Sequence, residues 1–197
     1  VNAVYKMCEA IQAIREIEPP VQDKLGKGIL ELTDVKSSPY PGASVVPEYC
    51  RATYDRRLLV CETKESVLQP IIEKMEELKK KDPQFSYKVS YAVGKGECYT
   101  GEKIQGERFF PGWLFGAEEE WVAKIKSELE KEGFSPEVTT YNFCTNGSHY
   151  AGEADIRTIG MGPARENLAH TIDEYAEVKD LTNMSVCYAG IMKALLG

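Results

Sequence analysis

Apolar and polar positions recur along this chain with two periods, and each change of period marks an element. Val4, Met7, Cys8, Ile11, Ile14 and Ile17 form one stripe of a helix over residues 2–17. Asn2 is its candidate N-cap, and Pro19-Pro20 stops it. Residues 28–36 carry strand character, with Leu30 and Leu32 on one face. Residues 37–43, rich in proline and glycine, connect them to a second strand over 45–59. There Tyr49, Arg51, Thr53, Asp55 and Arg57 share one side. A helix follows over 65–81, its main part starting at Pro70. The strand-like period returns over 85–93. Preceded by one further strand, this order becomes β-α-β-β-α-β. The chain starts at Val1 in the middle of that pattern, as if cut from something longer.

Residues 94–112 are glycine-rich and polar and read as a loop or crossover. A helix over 118–132 ends at Gly133. Strands are expected over 137–143 and, short and buried, over 156–161, with a small-residue turn over 144–148 between them. A closing helix over 182–196 is capped by Thr182 and buries Met184, Cys187, Ile191 and Leu195. The fold class is α/β in an α+β arrangement, divided into residues 1–93 and 94–197.

Composition narrows the function. Hydrophobic residues make up 43% of the 197, enough for a packed core. The net charge of -7 argues against nucleic acid and against an anionic membrane surface, both of which need a basic face. Six cysteines lie scattered without a Cys-x-x-Cys pair. They read as buried, reduced thiols of a cytoplasmic protein rather than as a disulfide framework or a structural zinc site.

The candidate chemistry gathers at His170. A β-rich run and a glycine-proline turn, Gly160 to Pro163, lead to this imidazole, and Asp173 and Glu174 follow it. An imidazole on a loop at a strand exit is a common way to present a metal ligand. One histidine cannot hold a metal alone, so the other ligands are expected outside this chain. His149 has no motif around it and reads as an ordinary surface or core histidine.

Three segments resemble the zinc-dependent aminoacylase and carboxypeptidase family, peptidase family M twenty, with a subgroup of hydrolases linked to selenium metabolism as the nearest likeness. Val1-Asn-Ala-Val resembles the start of that family's first lid helix. Val45-Val-Pro followed by Tyr54-Asp-Arg-Arg57 resembles its lid strand. Ile159-Gly-Met-Gly-Pro followed by Ala169-His-Thr-Ile-Asp-Glu174 resembles its last metal-ligand motif. The resemblance implies a ferredoxin-like lid, the dimerisation domain, over 1–93 and lacking its first strand. It implies the C-terminal part of an α/β zinc-hydrolase domain over 94–197.

The activity so implied is hydrolysis of N-acyl amino acids or small peptides with a free carboxylate. The intact enzyme would be a homodimer using two zinc ions, with cobalt or manganese as alternatives. His170 would be a metal ligand and Asp173 or Glu174 the carboxylate behind it. Arg57 would anchor the substrate carboxylate, while Thr145, Asn146, Gly160 and Gly162 would line the substrate. Ser44 departs from an asparagine the family often has there, and no role is carried over to it. No catalytic base falls within this chain, so the chain alone is expected to be inactive. The alternatives are an isolated dimerisation or lid module, or a free-standing α+β binding domain without catalysis.

Overall fold

Asn2 accepts a hydrogen bond from the Val4 N–H at 2.9 Å and so starts helix α1 (Ala3–Arg15). The computed structural model describes residues 1–141 and 143–197. They form two compact units, Val1–Gly112 and Trp113–Gly197. The fold is mixed α/β with small antiparallel sheets, in keeping with the class read from the sequence. No helix among the described residues is long and apolar enough to cross a membrane.

In the first unit a minimal ladder, β1 (Val21–Gln22) with β2 (Gly26–Lys27), leads into a long hairpin of β3 (Ile29–Ser38) and β4 (Tyr49–Arg57). The register shifts between Leu32 and Asp34, which leaves Thr33 as an extra residue in β3. The Thr33 hydroxyl donates to the Thr53 carbonyl at 3.1 Å across that shift. Helices α1 and α2 (Lys64–Lys81) supply Ala10, Ile14 and Met75 to a core shared with Phe85, against which Leu30 and Tyr54 of the hairpin pack. Fully burying a side chain the size of Ile14, Met75 or Phe85 contributes about 1.5–3 kcal/mol. Lys74 pairs with Glu16 at 2.7 Å and ties the two helices at their edge.

Three assignments in this unit differ from the sequence reading. Helix α2 starts before Pro70, because Thr63 and Ser66 form a reciprocal cap, at 3.1 and 2.9 Å, that closes the first turn upstream of the proline. Residues 85–92 carry no ladder. Phe85, Tyr87 and Val89 still alternate into the core, so the period is real, but among the described residues no strand lies beside them to pair with. The glycine-rich stretch read as a loop contains instead the hairpin of β5 (Val93–Glu97) and β6 (Lys103–Glu107).

The second unit is built on α3 (Glu120–Lys131) and α4 (Val178–Leu196). Trp121, Val122, Ile125, Leu129 and Cys187 form its core. Phe115 meets Trp121 edge to face, with ring centroids 5.2 Å apart. Helix α4 turns its small residues toward α3: a Cβ added at Gly190 would lie 3.3 Å from a Leu129 methyl. Leu195 falls off that face and is exposed, contrary to expectation. The helix also begins earlier than expected, and Thr182 is inside it, its hydroxyl donating back to the Val178 carbonyl at 3.1 Å. The expected strand over 137–143 includes Asn142, which lies outside the described residues; its other members are irregular. Residues 156–161 are irregular too, with Ile156 and Ile159 exposed. Of the six cysteines, all free, only Cys187 is buried.

Glu128 is a buried carboxylate on α3 that joins the two helices. Lys131 reaches it at 2.9 Å, and Lys193 of α4 pairs with its other oxygen. The Lys193 hydrogen bond, then that of Lys131, holds the Glu128 carboxyl below the usual range. A lowered folded-state pKa stabilises the fold above the ordinary carboxylate pKa, and that gain is lost as pH falls through the lowered value. The two tryptophans, Trp113 and Trp121, both belong to this unit. Acid unfolding followed by tryptophan fluorescence is expected to lose part of its pH dependence in Glu128→Gln, with lower stability at neutral pH; an unchanged acid limb would refute this. Leu129→Ala, at a fully buried site, is expected to cost about 2–5 kcal/mol in urea melts read by the same signal.

Candidate functional site

Register decides what each arginine of β4 does. Arg57 lies opposite Ile29, and Arg56 lies opposite the core-facing Leu30. The Arg57 guanidinium is nearly half exposed and its Nε donates to Asp55 at 3.0 Å. Arg56 turns inward. Its side chain is 15% exposed and pairs with Glu62, itself 12% exposed. It also donates to the carbonyls of Ile29 and Arg57. The second Glu62 oxygen accepts the Leu59 N–H at 2.6 Å. Arg56 and Glu62 form the polar end of a cavity of about 280 Å³ walled by Ile17, Pro19, Leu30, Val67 and Ile71. Near it, the Tyr91 hydroxyl donates to the Lys64 carbonyl at 2.9 Å. Burial, then the charges of Glu65, Glu107 and Glu62, push this phenol up to about 12, so it stays a neutral donor at ordinary pH.

In the second unit, the Thr145 hydroxyl accepts the Gly147 N–H at 3.2 Å, and the Asn146 carbonyl accepts the His149 N–H at 3.0 Å. These bonds start a π-helical turn, Ser148–Glu153. Gly147 is there for closeness: an added Cβ would lie 2.5 Å from the Trp113 ring. Ser148 is buried, with its hydroxyl 3.4 Å from the Cys144 sulfur. His149 is exposed, and its Nδ1 lies 2.9 Å from Glu153. A Cβ at Gly160 would collide with the Tyr141 ring, whereas Gly162 is open, with nothing within 4 Å of the same position.

His170 and Asp173 both hold the left-handed backbone conformation, at φ 62 and 60, which costs non-glycine residues energy. Their segment folds as consecutive turns: the Thr171 hydroxyl donates to the Leu168 carbonyl at 2.7 Å, and the Glu174 carboxylate accepts the main-chain N–H of His170 at 2.9 Å. Glu174 thus braces the backbone of His170. The His170 side chain is exposed. Among the described residues no three histidine, cysteine, aspartate or glutamate side chains gather around one point. A tight zinc site needs three or four such ligands. The described donors do not by themselves fit a zinc ion.

Sequence reasoning singled out Arg57. The inward-facing, paired arginine is Arg56, and the signal for it is the cross-strand partner, Leu30, which only the register supplies. Removing one member of a largely buried ion pair strands the other charge. Arg56→Met is therefore expected to cost roughly 3 kcal/mol in urea unfolding followed by far-ultraviolet circular dichroism. Arg57→Met, at an exposed pair, should fall within about 0.5 kcal/mol of the parent. Equal costs would show that the two guanidiniums are in equivalent surroundings.

Residues 1–83, within the first unit, match a family model described as a peptidase dimerisation domain. Over 198 aligned positions the chain is 27% identical to the uncharacterized protein YgeY of Escherichia coli (strain K12), an alignment that covers 96% of this chain and 46% of YgeY. YgeY of Escherichia coli O157:H7 matches to the same extent. The chain spans about half the length of these curated relatives. Its first 83 residues are similar to a peptidase dimerisation domain, and its likeness to YgeY runs on through both units.

Proposed function

We propose that this chain is the lid and C-terminal catalytic portion of a metal-dependent amidohydrolase of the peptidase class. Residues 1–93 act as the lid and homodimerisation domain. Residues 94–197 belong to the catalytic domain, to which His170 contributes one metal ligand. The match of residues 1–83 to a peptidase dimerisation domain carries this reading. Three features support the second half. The likeness to YgeY continues past residue 83. The His170 segment holds two strained, non-glycine residues in an exposed turn. The second unit also leaves Ile172, Val178 and Leu196 more than three-quarters exposed, which suits a part of a larger catalytic domain better than a free-standing one.

The substrate class proposed is an N-acyl amino acid or small peptide with a free carboxylate. Zinc, with cobalt or manganese as alternatives, would supply Lewis-acid chemistry in the intact enzyme, and His170 is the one ligand this chain would give it. This chain's own contribution would be to position: Glu174 fixes the His170 backbone, Arg57 offers a guanidinium, and Thr145, Asn146, Gly160 and Gly162 shape the turns around the substrate.

In the full-length protein, His170→Ala is expected to weaken metal affinity by at least the roughly 10–100-fold that loss of a residue merely supporting a ligand costs. Metal content by plasma emission, with hydrolysis of an N-acetyl amino acid, measures it. Unchanged metal content would remove His170 from the site. The 197-residue chain is expected to run as a dimer in light scattering and to show no hydrolysis, whereas zinc-dependent turnover by this chain alone would overturn the assignment of the missing ligands to another segment.

A further inference from the structure

The bulge at Thr33 has a consequence on the face of the hairpin turned away from the helices. In a strand of strict alternation, Asp34 and Lys36 would share the core-facing side of Leu30 and Leu32. The extra residue reverses them. Asp34 then pairs with Thr53, Lys36 with Arg51, and Ser38 with Tyr49. Bulges commonly re-aim a side chain in this way, often beside functional sites. Here the result is a lysine directly opposite an arginine, both exposed.

Like charges directly opposite one another in an antiparallel pair are destabilising. The same face holds a second such pair, Glu31 opposite Asp55, and there Arg57 supplies the counter-charge at 3.0 Å from Asp55. Nothing comparable serves the basic pair. Among the described residues neither Lys36 nor Arg51 enters an ion pair; the Lys36 ammonium lies 5.7 Å from the centre of the Tyr40 ring. Tyr40 and Tyr49 flank the pair and are more than two-thirds exposed. Ser38, next along the same face, adds a hydroxyl donor.

We propose that Lys36 and Arg51 form an anion-binding site for the carboxylate or phosphate group of a small molecule. The guanidinium fork and the ammonium would take two oxygens of one anion, and its charge would relieve their repulsion. The site is separate from Arg57, which stands six residues along β4, roughly 20 Å away at about 3.3 Å per residue. It needs no metal and does not depend on the hydrolase reading.

The test is a titration of the 197-residue chain with inorganic phosphate and with succinate, followed by backbone amide shifts, against sodium chloride at matched ionic strength. Shifts are expected to cluster at residues 36–38 and 49–51, with millimolar affinity. Arg51→Gln and Lys36→Gln should each weaken binding by roughly tenfold, the loss of one charged hydrogen bond. Both positions are exposed, so unchanged circular dichroism is expected and shows that the variants fold. Lys95→Gln, exposed on β5, should bind as the parent does. Four results would overturn the proposal: no shifts, equal shifts with chloride, shifts centred on Arg57, or a dimer that dissociates in Lys36→Gln and Arg51→Gln without any response to phosphate. The last would give the face to a second copy of the chain rather than to a small anion.

Discussion

The pairing of β3 with β4 is the constraint on which the rest of the first unit depends. Nine cross-strand partners, interrupted once at Thr33, decide which β4 side chains enter the core and which meet solvent. A one-residue slip would exchange the two sets. Tyr54 and Arg56 would lose the helices, while Asp55 and Arg57 would have to enter an apolar layer. Leu30 and Leu32 oppose such a slip, because burial fixes the register wherever only one face is apolar. The Arg56–Glu62 pair adds a polar lock at the end of the strand, where the cavity would otherwise leave a guanidinium without a partner.

The second unit follows a different logic. Its two helices approach closely because α4 presents Cys187 and Gly190 to Leu129. Close approach brings Lys193 over Glu128 and lets one buried carboxylate join both helices. The described residues of the segment between them, 132–177, form only short turns and are shaped by local hydrogen bonds and aromatic contacts. Tyr141 stacks on Phe143, and the Tyr188 hydroxyl of α4 donates to the Met161 carbonyl at 2.8 Å. The candidate ligand His170 therefore rides on turns rather than on a regular element, braced at its main chain by Glu174.

Much of the architecture could be read from residue types. The α1 stripe with its Asn2 cap, the two hairpin strands, α3 ending before Gly133 and the α4 pattern all follow from short-range periodicity and capping chemistry. Cys8 shows the limit of that stripe: it fits the helical period and yet is exposed, because the partner surface covers only the arc around Ala10 and Ile14. The apolar period over 85–92 likewise reflects side chains that find cover without a ladder, and Ile156 and Ile159 of the run over 156–161 find neither. A strand needs a neighbour, and periodicity cannot say whether one is present.

The sequence by itself determined the element types, the acidic balance, the arginine-bearing strand and the histidine turn that resembles a metal-ligand motif. These rest on local propensity and on residues near one another in the chain. Only the tertiary structure decided that Arg56 is the arginine turned inward, that Glu174 holds the backbone of His170 rather than its ring, and that Lys36 faces Arg51. Each depends on a register, a bulge or a turn closed between residues whose pairing is set by packing. Sequence order lists such residues without stating which of them will meet.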